Sequence, residues 1–228
     1  MDNYMLALLQ ICDSSLPTGS FSHSFGLETY IQEGIVHNKE SFLKWMKVYI
    51  QEQLVYTDGL ACRLTYEILE NERLEDIWEL DQKLIAQIFA HESREGSKKI
   101  GERFLTLGNQ LYQSLALSTY IKRINDSKSN GHPAIAFAMI AHCLNIPKST
   151  AVLSYLFSTV TSLVQNAVRG IPLGQTEGQL IIKEAISMIM NSWQVIEKLT
   201  EEDFGITPPG LEISQMKHER LHIRIFMS

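Results

Sequence analysis

From Ala134 to Ala141 the chain reads Ala-Ile-Ala-Phe-Ala-Met-Ile-Ala, with Pro133 immediately before it and no charge within it. Proline fits the first position of a helix, where its missing N–H leaves no bond unmade. A helix that is apolar on every side has no solvent face, and the alanines at 134, 136, 138 and 141 let neighbouring backbones come close. The loop-like stretch 126–133 leads into it. This segment therefore predicts a buried central helix, and the rest of the chain supplies helices to surround it. Apolar residues recur at three- and four-residue spacing in Phe42, Trp45, Met46, Tyr49 and Ile50. The same spacing appears in Leu60, Leu64 and Ile68, in Phe104, Leu107, Leu111 and Leu115, and in Ile182, Ala185, Ile189, Trp193 and Ile196. That is the signature of amphipathic helices. The expected helices span about 4–11, 20–33, 38–56, 60–68, 76–89, 94–117, 133–141, 148–169 and 175–199. The fold class that follows is all-α: a single-domain bundle of about nine to ten helices over residues 1–199, with 200–228 as an extended tail.

Two segments depart from simple amphipathicity. On the 148–169 helix, Ser154, Ser158, Ser162, Gln165 and Arg169 form a stripe that is polar but almost uncharged. A solvated face normally carries Lys and Glu, so this one is expected to lie under another helix or another subunit. Gly170-Ile171-Pro172-Leu173-Gly174 then breaks the helix. In the tail, Leu221, Ile223, Ile225 and Met227 alternate with His222, Arg224 and Phe226, a period of two in a body that offers no sheet. Its apolar edge must be covered, either by a groove of its own subunit or by a partner on which the tail orders.

Composition narrows the function. The chain has 228 residues, 45% of them hydrophobic, enough for one large domain. Lys and Arg number 20 against 26 Asp and Glu, for a net charge of −6, and no basic run exceeds Lys98-Lys99, which argues against nucleic acid. The longest apolar run falls far short of the roughly 20 residues of a membrane span. Cys12, Cys62 and Cys143 form no disulfide framework and Met-Asp-Asn-Tyr is no signal peptide, so a reducing cytoplasm is expected.

Catalytic patterns are scarce. Gly174-Gln175-Thr176-Glu177-Gly178-Gln179 opens a helix but has no lysine for a phosphate cradle. His142 and Cys143 are adjacent, which on a helix aims their side chains about 100° apart. His218 and His222 stand four residues apart, a weak metal-binding candidate in a tail that reads as extended. No stably bound cofactor is expected. One enzymatic alternative stays open: a small helical hydrolase or metalloenzyme with Ser20, Ser22 and His23 beside a carboxylate such as Glu28 or Asp58.

Three segments carry a family resemblance. Cys12-Asp-Ser-Ser-Leu-Pro-Thr-Gly-Ser-Phe-Ser-His-Ser-Phe-Gly-Leu-Glu28, Gln165-Asn-Ala-Val-Arg-Gly-Ile-Pro-Leu-Gly-Gln175 and Pro209-Gly-Leu-Glu together resemble the urease accessory protein family UreF, in order and separation across nearly the whole chain. The resemblance implies a non-enzymatic, all-α chaperone, a homodimer that helps insert nickel into apo-urease. It implies binding to UreD (UreH in some organisms), recruitment of the GTPase UreG, an influence on when GTP is hydrolysed, and nickel handled only transiently by the complex. It also implies that partners are met by Ser20, Ser22, His23 and Glu28 and by Gln165, Asn166, Arg169 and Gln175; the periodicity of the tail, more than the resemblance, adds Leu221, Ile223, Arg224 and Ile225. Within the first segment Asp13 is a capping residue, Pro17 and Gly19 fix a turn, and Phe25 is expected in the core. Arg169 has two readings: a cation at its own helix end, or a guanidinium offered to carbonyls or a carboxylate of another chain.

Overall fold

The computed structural model describes residues 4–228. Its centre is the helix α8 (Pro133–Cys143), whose residues 134–141 are all buried. Around it lie α1 (Met5–Cys12), α2 (Leu27–Gln32), α3 (Lys39–Val48), α4 (Leu60–Glu70), α5 (Leu74–Ala86), α6 (His91–Tyr112), α7 (Leu115–Asn125), α9 (Lys148–Gly170), α10 (Gln175–Ile196) and α11 (Pro209–His218). A π-helical stretch, Tyr49–Gly59, joins α3 to α4 without interruption, so these eleven α-helices form ten separate helical rods among the described residues, which carry no strand. The bundle expected from the periodicity is the one observed.

α8 packs against α6, α4 and α9. Gly108 of α6 sits so close that a Cβ there would lie 2.2 Å from Ile140. The small residues on both helices thus draw the two backbones together. Asp81, fully buried on α5, organises the loop that enters α8: its carboxylate accepts the amides of Asn130 (2.5 Å), Gly131 (3.1 Å) and His132 (3.1 Å), and the Tyr120 hydroxyl donates to it over 2.8 Å. At the other side, α10 lies along α9 and the π-helical stretch, burying Ile182, Ala185, Ile189 and Ile196. Among the described residues α9 alone is long and apolar enough to cross a membrane, yet it contacts α10, α8 and α4 within the bundle.

Several elements differ from expectation for local reasons. The helix predicted over 20–33 is two pieces, a 3₁₀ turn Ser20–Ser22 and α2, because Phe25 (φ 49°) and Gly26 (φ 91°) both take left-handed conformations. The 94–117 helix ends at Tyr112, where Gln113 turns left-handed (φ 39°), and both Leu111, in its last turn, and Leu115, beyond the break, face solvent instead of the core. The tail is not extended throughout: it holds a 3₁₀ turn (Glu201–Asp203) and α11, which Pro209 starts as a first-turn proline, and its stretches without helix are 204–208 and the ten residues after His218.

Candidate functional site

The three segments singled out in the sequence meet in space. Asp13 closes the end of α1 by accepting the Ser15 amide (2.7 Å), and Gly19, at φ 85°, turns the chain into the Ser20–Ser22 turn, where the Ser22 hydroxyl donates to the Gly19 carbonyl (2.7 Å). His23 and Ser24 follow, both buried. From α9, the Asn166 side chain, 1% exposed, donates to the His23 carbonyl (2.7 Å). One turn later Arg169 donates to both the Phe21 carbonyl and Asn166 Oδ1. The last residues of the tail then run over this junction. Ser228 places its backbone oxygen against the amides of Ser24 (2.5 Å) and Phe25 (3.1 Å), and its hydroxyl 2.8 Å from His23 Nδ1. The Phe226 ring is buried beneath the Arg169 guanidinium, 4.9 Å away, a cation–π contact that ties α9 to the tail.

The second anchor is Glu28 on α2, 2% exposed. Its carboxylate accepts the Ile225 amide (2.6 Å) and the Phe226 amide (3.1 Å), and His218 Nε2 lies 2.9 Å from it. The other ring nitrogen of His218 faces Glu92 of α6 at 2.9 Å, and Glu92 also pairs with Arg224 at 2.5 Å. Burial raises the Glu92 carboxyl, but its bonds to His218 and Arg224 outweigh that and hold it below the ordinary glutamate range. A depressed carboxyl stabilises the fold above its unfolded value, and that stability is lost as pH falls through the depressed one. The stability difference between the wild type and Glu92→Gln, measured by urea unfolding, is therefore expected to be full at neutral pH and to shrink below about pH 4. A difference that grows on acidification would contradict this assignment. His23 moves the other way for its type: burial above all, with Lys99 and His218 nearby, holds it below the usual histidine range and favours a neutral ring.

The period-two pattern of the tail is real, but its orientation is the reverse of the expected one. Phe226 and Ser228 are buried, whereas Ile223 is 80% exposed, Ile225 59% and Met227 60%. Leu221 is half-buried. Backbone amides, not apolar side chains, decide the matter, because Glu28 and the Ser22 carbonyl, which accepts the Met227 amide at 2.7 Å, hold the segment by its main chain. Glu92 and Ser228 were not legible as members of this site. The one available signal was Phe226, the sole aromatic side chain in the last ten residues, which outweighs any aliphatic neighbour as a buried anchor.

Other candidates fall elsewhere. Ser20 is half-buried, 3.3 Å from the Thr18 hydroxyl, beside a cavity of about 170 Å³ also lined by His23, Phe25, Asp58, Tyr155, Ser158 and Ser162. Phe25 is only partly buried against the core. Gln165 is half-buried and Gln175 is exposed at the start of α10, apart from the junction. The polar stripe of α9 is only partly covered within the chain: Ser154, Ser158, Ser162 and Gln165 are half-buried and Arg169 is exposed, with the Ser158 hydroxyl donating to the Cys12 carbonyl (3.3 Å) and the Cys12 thiol to the Ser154 carbonyl (3.9 Å). His218 and His222 do not form a chelating pair, since both nitrogens of buried His218 face carboxylates and His222 is exposed beyond the end of α11. Among the described residues no group of three or more His, Cys, Asp and Glu side chains could hold a metal ion. Nor is a serine–histidine–carboxylate relay assembled among the described residues. The His23 ring bonds Ser228, Glu28 bonds the tail, and Asp58 bonds Tyr155 (2.7 Å) and Thr57 (2.9 Å).

The UreF family model matches residues 36–186. The chain belongs to the UreF family. It is 68% identical to the urease accessory protein UreF of Lachnoclostridium phytofermentans over 228 residues, all of both chains. It is 50% identical to that of a Bacillus strain over 226 residues, 99% of this chain and all of the other. UreF proteins are urease accessory proteins, so this chain is an accessory factor and not an enzyme. The two relatives extend over the Asp13–Glu28 segment and the tail, which lie outside the family-model match.

Proposed function

We propose that this chain is a cytoplasmic, homodimeric scaffold for nickel insertion into apo-urease. It joins UreD (UreH) to the GTPase UreG, influences when UreG hydrolyses GTP, and holds no cofactor of its own, nickel passing only transiently through the assembly. The observation that supports this reading best is the junction itself. Residues 13–28, Arg169 and the tail are locked together, and the lock leaves Phe21, Ile223, Ile225 and Met227 facing outward, between 58% and 80% exposed. Apolar side chains grouped on a rigid backbone are what an obligate partner buries at an interface centre. UreD is the partner assigned to this face, with residues 200–228 as the partner-binding tail. The test is co-purification: Ile223→Asp with Ile225→Asp is expected to weaken UreD capture at least about tenfold, the equivalent of ~1.4 kcal/mol, with unchanged helical circular dichroism. Wild-type capture by the double variant would refute the assignment.

Arg169 supports the same face indirectly. Its guanidinium is engaged within the chain, on Phe21, Asn166 and the Phe226 ring, and so helps to order the junction. Arg169→Ala is expected to keep the melting temperature within about 5 °C, because the side chain is largely solvated, while lowering nickel incorporation into urease in cells. Unimpaired urease activation, or outright unfolding, would each remove Arg169 from this role.

A further inference from the structure

The face that the junction leaves exposed is bordered by cations that no carboxylate of the described residues answers. Lys99 and Arg103 stand one helical turn apart on α6, both exposed, and among the described residues neither takes part in an ion pair. Two glycines fix where they sit. A Cβ on Gly19 would lie 3.1 Å from Arg103 Nη1, so that guanidinium rests over the Gly19 turn. A Cβ on Gly96 would lie 2.6 Å from the His23 ring, so α6 runs flush against the junction. The Lys99 charge is felt there: after burial, it is the largest influence holding His23 below the usual histidine range. Across the same turn the Arg169 guanidinium is bonded to the Phe21 carbonyl and to Asn166, both neutral.

The neighbouring anions are already engaged. Glu95 pairs with Lys98 (3.0 Å), Glu92 with Arg224 (2.5 Å), Glu28 holds the Ile225 and Phe226 amides, and Asp13 accepts the Ser15 amide. Glu102 is the exception on α6, and its amide lies toward Gly131, on the side of the 126–133 loop. In a chain of net charge −6, Lys99, Arg103 and Arg169 around residues 19–23 therefore reverse the sign locally. Phe21, 58% exposed, stands among them. Arg169 touches both the Phe21 carbonyl and the Phe226 ring, so this cationic border is continuous with the outward row of the tail. An apolar centre with a charged, solvated rim is the anatomy of a protein interface.

We infer that Lys99 and Arg103 form an electrostatic steering rim for an acidic partner surface: the part of UreD that covers Phe21 presents Asp or Glu side chains to them. The inference rests on the assignment of UreD to this face and adds the charge of what docks there. Rim charges stay partly solvated in a complex, so they act on the rate of encounter and on the choice of partner more than on the lifetime of the complex. The apolar row of Phe21, Ile223, Ile225 and Met227 then supplies the lifetime.

The test is the association rate of the full-length chain with immobilised UreD, measured at about 50 mM and about 300 mM sodium chloride. The wild-type rate constant is expected to fall at least about fivefold across that range. Lys99→Glu with Arg103→Glu is expected to lower it at least about tenfold at the lower salt, while the dissociation rate changes less than about threefold. The conservative exchange of Lys99→Arg with Arg103→Lys should keep the wild-type rate. Far-ultraviolet circular dichroism checks the fold, and if the double reversal unfolds, Arg103→Gln alone, expected to slow association about threefold, decides the matter. A charge-reversed chain that associates at the wild-type rate, or a wild-type rate that salt leaves unchanged, would overturn the inference. Loss of capture by Ile223→Asp with Ile225→Asp, beside an unaffected charge-reversed chain, would remove the steering rim and leave the partner reading standing. A wild-type chain that does not bind UreD at all would remove both.

Discussion

Replacing Asp81 with alanine is expected to cost about 3–5 kcal/mol, a large share of the ~5–15 kcal/mol that separates a domain of this kind from its unfolded state. Asp81 is fully buried, and its two oxygens serve three consecutive backbone amides, Asn130 to His132, together with the Tyr120 hydroxyl. Burial first, and then the Asp81 charge, raise the Tyr120 phenol well above its ordinary value, so it stays a donor to the carboxylate. Alanine would leave four donors without a partner at the doorway of the central helix, and unmet buried donors are costlier than the bonds themselves are strengthening. Asp81→Asn retains one acceptor oxygen but turns an NH₂ toward amide donors, so a smaller loss is expected. Tyr120→Phe, which removes one donor, should cost only about 1 kcal/mol. Urea unfolding followed by near- and far-ultraviolet circular dichroism measures all three. A loss below about 1 kcal/mol for the alanine variant would show that the 126–133 loop is held by something else.

Deleting residues 219–228 is expected to abolish UreD capture while leaving the helical circular dichroism, and the proposed self-association, in place. The segment contributes no helix, so far-ultraviolet ellipticity has little to lose. What disappears is the outward row of Ile223, Ile225 and Met227, together with the inward anchors Phe226 and Ser228 that fix the Ser22–Phe25 stretch of the junction. Glu28 would lose two amide donors, and a fall of a few degrees in melting temperature is expected with it. Capture of UreD at the wild-type level by the truncated chain would contradict the placement of the partner on this face.

The bundle was legible because burial of α8 is written in composition alone: eight residues without a polar atom in their side chains cannot face water. The same logic found the inward faces of α3, α4 and α10. It failed at Phe25 and Gln113, whose left-handed backbones end helices although neither residue type announces it. The junction was legible as three separate motifs but not as one cluster. Its coherence rests on side-chain bonds across 126 to 205 positions, from Glu92 to His218 and from His23 to Ser228. Periodicity reports which residues share a face and is silent about main-chain bonding. For that reason the tail's alternation was visible and its orientation was not.

The π-helical stretch has a consequence for insertions and deletions. Its hydrogen bonds reach one residue further than those of an α-helix, so each residue turns the chain less. Over Tyr49–Gly59 the buried face drifts in phase, and Leu60, Leu64 and Ile68 no longer continue the register of Phe42, Trp45 and Met46. The stretch works as a gear within one rod, whose halves α3 and α4 show different faces to α10 and α8. Removing one residue from it would leave both halves helical and swing the second out of mesh by somewhat less than the ~100° that one α-helical residue turns. Length here is tightly constrained, because the residue count cannot change without turning Leu64 away from the core; chemical identity is constrained as well, at Gly59, where a Cβ would lie 2.6 Å from Ile196, and at Asp58, which accepts the Tyr155 hydroxyl.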